Sequence, residues 1–190
     1  MDESLARIRH ERSVKDYPDL NLKDDEYIEF AFKRAHICLM MIVISVTIAI
    51  IAILLVFLTI LLAQERLGES GRSFVFIILF TLLAFTIISG CIAVRIYNGN
   101  RLYITNQRVI QKIMHTPFVH SINVIDLSSV EDASYHQEGF FSAIFHFGTL
   151  RLSTVGDETT YTFKFSDISS KDLESVTRLI SDAKKSKDDD

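Results

Sequence analysis

Two long apolar runs separated by a short polar break dominate the pattern of the chain. Ile37–Ala63 and Phe74–Val94 contain no charged residue, and Gln64–Ser73 lies between them. A helix needs about 20 consecutive apolar residues to cross the hydrocarbon core of a bilayer, and both runs reach that length. Within lipid every backbone N–H and C=O must be bonded internally, which a helix achieves within one segment. The pattern predicts a transmembrane helical hairpin over 36–97, with helices of about 37–63 and 74–94. A cleaved signal peptide does not fit: a polar-rich stretch precedes the first run, and an h-region spans only about 7–15 residues.

After Asn98 the period changes to two. Leu102 and Ile104 alternate with Arg101, Tyr103 and Thr105, and a turn at Asn106-Gln107 leads into a β-branched run over Val109–Met114. This is the signature of a tight hairpin. His115, Thr116 and Pro117 end that strand. Further strands are expected over Val119–Leu127, Glu131–His136, Gly148–Thr154 and Thr159–Phe165, the last two joined by a turn at Val155–Glu158. Gly139–Phe147 holds Phe140, Phe141, Phe145 and Phe147, expected in a helical turn packed under the sheet. Ser169–Asp172 resembles a capped helix start. Leu173, Val176 and Ile180 then form one apolar stripe. Residues 98–184 thus predict about six short strands closed by a C-terminal amphipathic helix, with 185–190 a disordered tail.

The N-terminal segment, 1–35, is expected to be cytosolic. Met1–Asp19 is charged with few apolar residues, predicting a frayed or weakly docked helix that ends near Tyr17-Pro18. Tyr27–Phe32 leaves both a short helix and an extended segment open, and if extended it could add a strand to the sheet edge. The simpler expectation is that Tyr97–Lys187 folds alone.

Positive charges give an orientation. Lys33 and Arg34 precede the first run, and Arg95 and Arg101 follow the second; the connecting loop has only Arg66 and Arg72. Excess Lys and Arg stay cytoplasmic. A multi-pass protein of the plasma membrane, with both termini and the strand-rich domain in the cytoplasm, is expected. Ser45 with Ala49, and Thr86 with Gly90, are spaced for close helix approach. No Asp, Glu, Lys or Arg lies at mid-depth, which argues against transport by this chain alone.

Formal net charge is −4, and no basic footprint suggests nucleic acid. Candidate chemistry is sparse. Arg108 is expected to pair with Asp126 or Asp132. His36, Cys38 and Cys91 would share one membrane depth, but three ligands without a local motif make packing roles the better reading, so no metal is expected. His115, His120, His136 and His146 lack ligand spacing. Ser142 lacks a G-x-S-x-G elbow. No carboxylate pair, phosphate loop or dinucleotide fingerprint occurs, so neither catalysis nor a cofactor is expected.

Several stretches carry a family resemblance: Leu22-x-x-x-Glu26 followed by Arg34-x-His36, then Arg101-Leu-Tyr-Ile-Thr-Asn-Gln-Arg-Val-Ile110, Ile125-Asp-Leu-Ser-Ser-Val130, and Ile144-Phe-His-Phe-Gly-Thr-Leu-Arg-Leu152. In this order, around a membrane hairpin, they resemble bacterial pleckstrin-homology-like domains of YdbS-type membrane proteins. The resemblance implies an α+β membrane protein with a PH-like β-sandwich or half-barrel, and no established activity. His115-Thr116-Pro117 stands where the family often has a glycine turn.

The functional expectation is a membrane-anchored binding or assembly module. Alternatives are a non-catalytic subunit of a membrane enzyme or transport complex, and a lipid sensor. Phe140, Phe141, Phe145 and Phe147 are candidate partner contacts, for another protein or for self-association; core packing is the competing role. A specific lipid headgroup is not expected. Asn98–Asp190 has ten Lys and Arg against thirteen Asp and Glu, net −3, and strand alternation separates Arg101 from Arg108 and Lys112.

Overall fold

The computed structural model describes residues 3–62, 69–154, 160–166, 168 and 170–188. The chain divides into two units: 36–97, and a second formed jointly by 1–35 and 98–190. The N-terminal segment is therefore not a separate region but part of a domain whose chain the hairpin interrupts.

In the interrupted domain α1 (Glu3–Asp16) leads to β1 (Ile28–Lys33). After the insertion come β2 (Arg101–Thr105), β3 (Arg108–Met114) and β4 (His120–Asp126), forming an antiparallel sheet in the order β1-β2-β3-β4. A 3-10 turn, Leu127–Ser129, leads to β5 (Val130–His136). The six-residue α4 (Phe140–Phe145), β6 (Gly148–Thr154) and β7 (Thr160–Ser166) follow, and β5-β6-β7 form a second antiparallel sheet. An isolated bridge between Arg34 and Ser166 links the chain after β1 to the end of β7.

Alternation puts Leu102, Ile104, Val109 and Ile125 of the first sheet into one core with Val130, Leu150, Leu152 and Phe163 of the second. Burying such side chains is the main favourable term, about 1.5–3 kcal/mol each. Gln111 enters this apolar region because its Nε2 donates to the Thr162 carbonyl across the sheets at 2.9 Å. Gly148 is required at the start of β6: a Cβ there would lie 2.5 Å from the His136 carbonyl oxygen and 2.7 Å from the Tyr135 ring. The α5 helix (Ser170–Asp188) closes the core through Val176 and Ile180, with Leu173 beside them. It continues past Lys184, so 185–188 are helical where a tail is expected from sequence. The expected Val155–Glu158 turn and residues 189–190 lie outside the described residues.

The extended alternative holds, with Ile28–Lys33 forming a strand. Phe30, Ala31, Phe32 and Lys33 pair with Ile104, Tyr103, Leu102 and Arg101, making the seventh strand. Of the two states expected for α1, the docked one is found, held through polar contacts. Ser13 Oγ accepts from the Ile28 N–H at 3.0 Å, His10 Nδ1 lies 2.6 Å from the Glu26 carbonyl oxygen, and Arg9 pairs with Glu29 at 3.1 Å. Beyond it, Tyr17 and Leu20 cover Tyr103 and Ile110 on the outer face of the first sheet.

The other unit holds α2 (His36–Leu62) and most of α3 (Glu69–Gly99), both long and apolar enough to cross a membrane. The α3 helix starts before Phe74 and ends after Val94, so Glu69–Ser73 are helical rather than loop. Of the predicted break, 64–68 lies outside the described residues. Gly90 is the point of close approach, but to Val46 rather than to Ser45 or Ala49: a Cβ there would lie 3.0 Å from Val46 Cγ1. Ser45 and Thr86 instead donate to carbonyls of their own helices.

Candidate functional site

The best-defined polar site is centred on Glu26, whose side chain is 0% exposed. Asp25 adopts a left-handed backbone, φ 64°, a region that Asp tolerates better than most residues. It lies in a turn closed by the Glu26 N–H donating to the Lys23 carbonyl at 3.1 Å, and Glu26 follows directly. Its Oε1 accepts from Arg108 Nε at 2.8 Å, and its Oε2 from Arg108 Nη2 at 2.8 Å and from the Lys23 N–H at 2.8 Å. The Thr105 hydroxyl is 2.8 Å from both Glu26 Oε1 and the Arg108 carbonyl and has one proton to give. The same Thr105 oxygen accepts from the Gln107 and Arg108 N–H groups, shaping the β2–β3 turn. Asn106 completes the junction, accepting from the Tyr27 N–H and donating to the Asp25 carbonyl. Burial alone would raise the Glu26 pKa; hydrogen bonds from Arg108, Lys23 and Thr105, with the arginine's charge, outweigh it and hold the carboxyl below its ordinary value. The arrangement ties the N-terminal segment to the β2–β3 turn. It presents a satisfied, buried ion pair and no reactive group.

Arg108 therefore does not pair with Asp126 or Asp132. Asp126 is its register partner on β4, yet the guanidinium turns to the buried carboxylate, where it gains two parallel bonds. Sequence reading missed the Glu26–Arg108 pair, although each residue lies in one of the motifs noted above. The available signal was one acid and one base in two of those motifs.

The flanking cations are arranged differently from the sequence expectation. Lys33 is the register partner of Arg101, and Arg101 of Lys112, so three basic residues cross β1, β2 and β3 in one row on one face. Strand alternation along the chain does not separate residues that the hairpin places opposite each other. The row borders an open depression of about 300 Å³ lined by Asp19, Tyr103 and His120 among others. Asp19 lies 3.7 Å from Lys112 and offsets part of its charge. Arg34 is half-buried beside its bridge to Ser166, and Arg95 is exposed on α3.

Of the four candidate phenylalanines, three are displayed on α4. Phe140 is 74% exposed, Phe141 58% and Phe145 43%, with Ile144 beside them at 49%. Core packing describes Phe147, which is 7% exposed. Ser142, on the opposite side of the turn, is buried and donates to the Phe147 carbonyl, fixing α4 against its own exit strand.

Among the described residues no three His, Cys, Asp or Glu side chains gather as a metal site. Cys38 is buried and Cys91 exposed, on different helices. His115 Nε2 lies 3.1 Å from Ser121 Oγ, and His36, His120, His136 and His146 are exposed.

No family model and no curated protein matches the chain. Part of it is similar to a solved structure of a DUF1696 family protein with a pleckstrin-homology domain from Shewanella loihica PV-4. The two share 14% identity with a TM-score of 0.33, over 45% of this chain and 70% of that one. A likeness at that level fixes neither fold nor function.

Proposed function

We propose that this chain is a membrane-anchored, PH-like binding module of YdbS type, non-catalytic, held at the cytoplasmic face of the plasma membrane by its two-helix hairpin. The observation that carries the binding role is the short α4 ridge, where Phe140, Phe141, Ile144 and Phe145 face outward instead of joining the core. Clustered exposed apolar side chains mark contact sites. Their fixed geometry, with Ser142 bonded behind them, suits a protein surface. Anchoring rests on helices of 27 and 31 residues, the second including its extensions beyond the apolar run. In this reading α2 and α3 span the bilayer and the interrupted domain stands on one side, tethered through both β1 and β2.

The test is a photo-cross-linker in place of Phe141 in the full chain, activated in native membranes. A discrete adduct that Phe140→Ser with Phe145→Ser removes is expected. No adduct at position 141 would remove α4 as the contact.

The row Lys33, Arg101 and Lys112 favours a second reading, a lipid sensor. A basic residue near an anionic surface contributes about 1 kcal/mol, and the net acidic charge of the domain opposes it. Full-length protein in nanodiscs is expected to bind soluble anionic headgroups without selectivity. Headgroup-selective, salt-sensitive binding lost in Arg101→Glu would make the second reading the better one.

A further inference from the structure

The free edge of β4 has a pattern that the Glu26 site and the α4 ridge do not use. Hydrogen-bonded pairs alternate along an antiparallel ladder. The β3–β4 ladder is bracketed by two bonds, from the His115 N–H to the Val119 carbonyl at 3.0 Å and from the Leu127 N–H to the Gln107 carbonyl at 2.9 Å. With Arg108–Met114 paired to Asp126–His120 without a shift, Ser121, Asn123 and Ile125 turn their backbone groups toward β3. His120, Ile122, Val124 and Asp126 turn theirs toward the open edge. Among the described residues no strand pairs with that edge.

Proteins blunt open edges with charges, prolines and bulges. The other described edge strands do so. β1 has a bulge between Ile28 and Phe30 and ends in Lys33; β5 has an irregularity between Val130 and Asp132 and carries Glu131; β7 carries Lys164. β4 has neither proline nor bulge, and its one formal charge is Asp126 at its end; Ser121, Ile122, Asn123, Val124 and Ile125 between His120 and Asp126 are uncharged. Ile122 is 48% and Val124 49% exposed on the outer face, and the adjoining Phe118 is 92% exposed.

The sequence of this edge is complementary to itself. When β4 is laid antiparallel on a second β4 about Asn123, all seven residues overlap. Ile122 then faces Val124 of the other copy, and His120 faces Asp126, each pair occurring twice. The facing pairs are those whose backbone groups point to the open edge, so the ladder can form. Shifting the axis to Ile122 or Val124 shortens the overlap and breaks both matches. Asp126 is available for it, because Arg108 has turned to Glu26 and the Asp126 side chain makes no cap bond to the following 3-10 turn.

We infer that β4 pairs with β4 of a second copy of this chain, in an antiparallel register centred on Asn123, joining two four-stranded sheets into one of eight strands. The inference rests on the reading of the domain as a binding module and names one partner for it. Anchoring two copies in one membrane raises their effective concentration, so a seven-residue ladder suffices where free solution would require a larger interface.

The test uses the full chain in native membranes, with Cys38→Ser and Cys91→Ser. Asn123→Cys sits at the axis, and mild oxidation is expected to give a disulfide-linked dimer. Ser121→Cys is expected not to, since its two copies would be offset by four residues, about 13 Å along the strands. Ile122→Glu places a charge at the apolar seam beside Lys112, its own register partner, and is expected to lower the yield at position 123 about tenfold. Asp126→Lys is expected to do the same, and His120→Glu combined with Asp126→Lys to restore the yield. Within one chain those two positions are about 20 Å apart, so rescue requires a second copy. Equal dimer yield at 121 and 123, or no rescue, overturns the register. No dimer at 123 with an adduct to another protein at 141 overturns self-pairing and leaves the binding-module reading standing. No adduct at either position removes both.

Discussion

Replacing Glu26 with alanine is expected to destabilise the domain by about 3 kcal/mol, the lower end of the range for breaking a buried pair, because it leaves the largely buried Arg108 guanidinium, 14% exposed, without its counter-charge. Whole domains are stable by only about 5–15 kcal/mol, so the variant is expected to be largely unfolded under mild stress. Urea unfolding of the detergent-solubilised chain, followed by tyrosine fluorescence, measures this; no tryptophan interferes. A loss under about 1 kcal/mol, the range of exposed ion pairs, would mean that solvent reaches the site. Replacing both Glu26 and Arg108 with methionine is expected to recover much of the loss, since apolar substitutes for a buried pair are often neutral.

The pair also sets an acid limit. The Glu26 carboxyl is held below its ordinary value when folded, so it contributes stability that is complete above about pH 4.3, where unfolded glutamate is ionised. That contribution is lost as pH falls from there through the lower folded value. In Glu26→Gln this acid-dependent part is absent, so the stability gap between the two proteins is expected to narrow below about pH 4.

The elements that the sequence made legible are those with a strong local period. The apolar helices, the strands from Arg101 to Ser166 and the α5 stripe all carry their pattern within a few residues. Both α2 and α3 are recognisable because charge-free runs of that length have few other uses. β1 was ambiguous because Tyr27–Phe32 is short, and its partner β2 lies on the far side of the inserted hairpin. The docking of α1 was left open, and the residues that make it were hidden, because His10, Ser13 and Arg9 hold it by polar bonds rather than an apolar face. The Arg101–Lys112 row and the Glu26–Arg108 pair were missed for one reason: cross-strand and long-range partners depend on register, which chain position alone does not state. The exposure of α4 was unreadable for a related reason. Four phenylalanines in eight residues are equally compatible with a core and with a surface, and only the path of the surrounding strands decides.

The second large effect follows from the interruption. A chain of residues 98–188 alone is expected not to fold, because it lacks Glu26 opposite Arg108, the β1 strand that pairs with β2, and the buried side chains of Tyr27 and Phe32. Losing these two side chains forfeits about 1.5–3 kcal/mol each in addition to the ion pair. Residues 3–35 joined to 98–188 by a short turn are expected to fold and melt cooperatively. Lys33 and Arg101 are register partners, so neighbouring strands about 4.8 Å apart need only a tight connection. Circular dichroism and thermal melting separate the outcomes. Cooperative melting of 98–188 alone would contradict the account of one domain split by an insertion.

The measurement that bears most directly on membrane anchoring is thiol accessibility in intact cells. Single cysteines are placed at Arg72, just before the second apolar run, and at Phe118, in the β3–β4 turn, with Cys38 and Cys91 replaced by serine. An impermeant thiol reagent is expected to label position 72 in intact cells and to reach position 118 only after the membrane is opened. Labelling of 118 but not 72 would reverse the orientation, and equal labelling of both in intact cells would contradict a spanning hairpin.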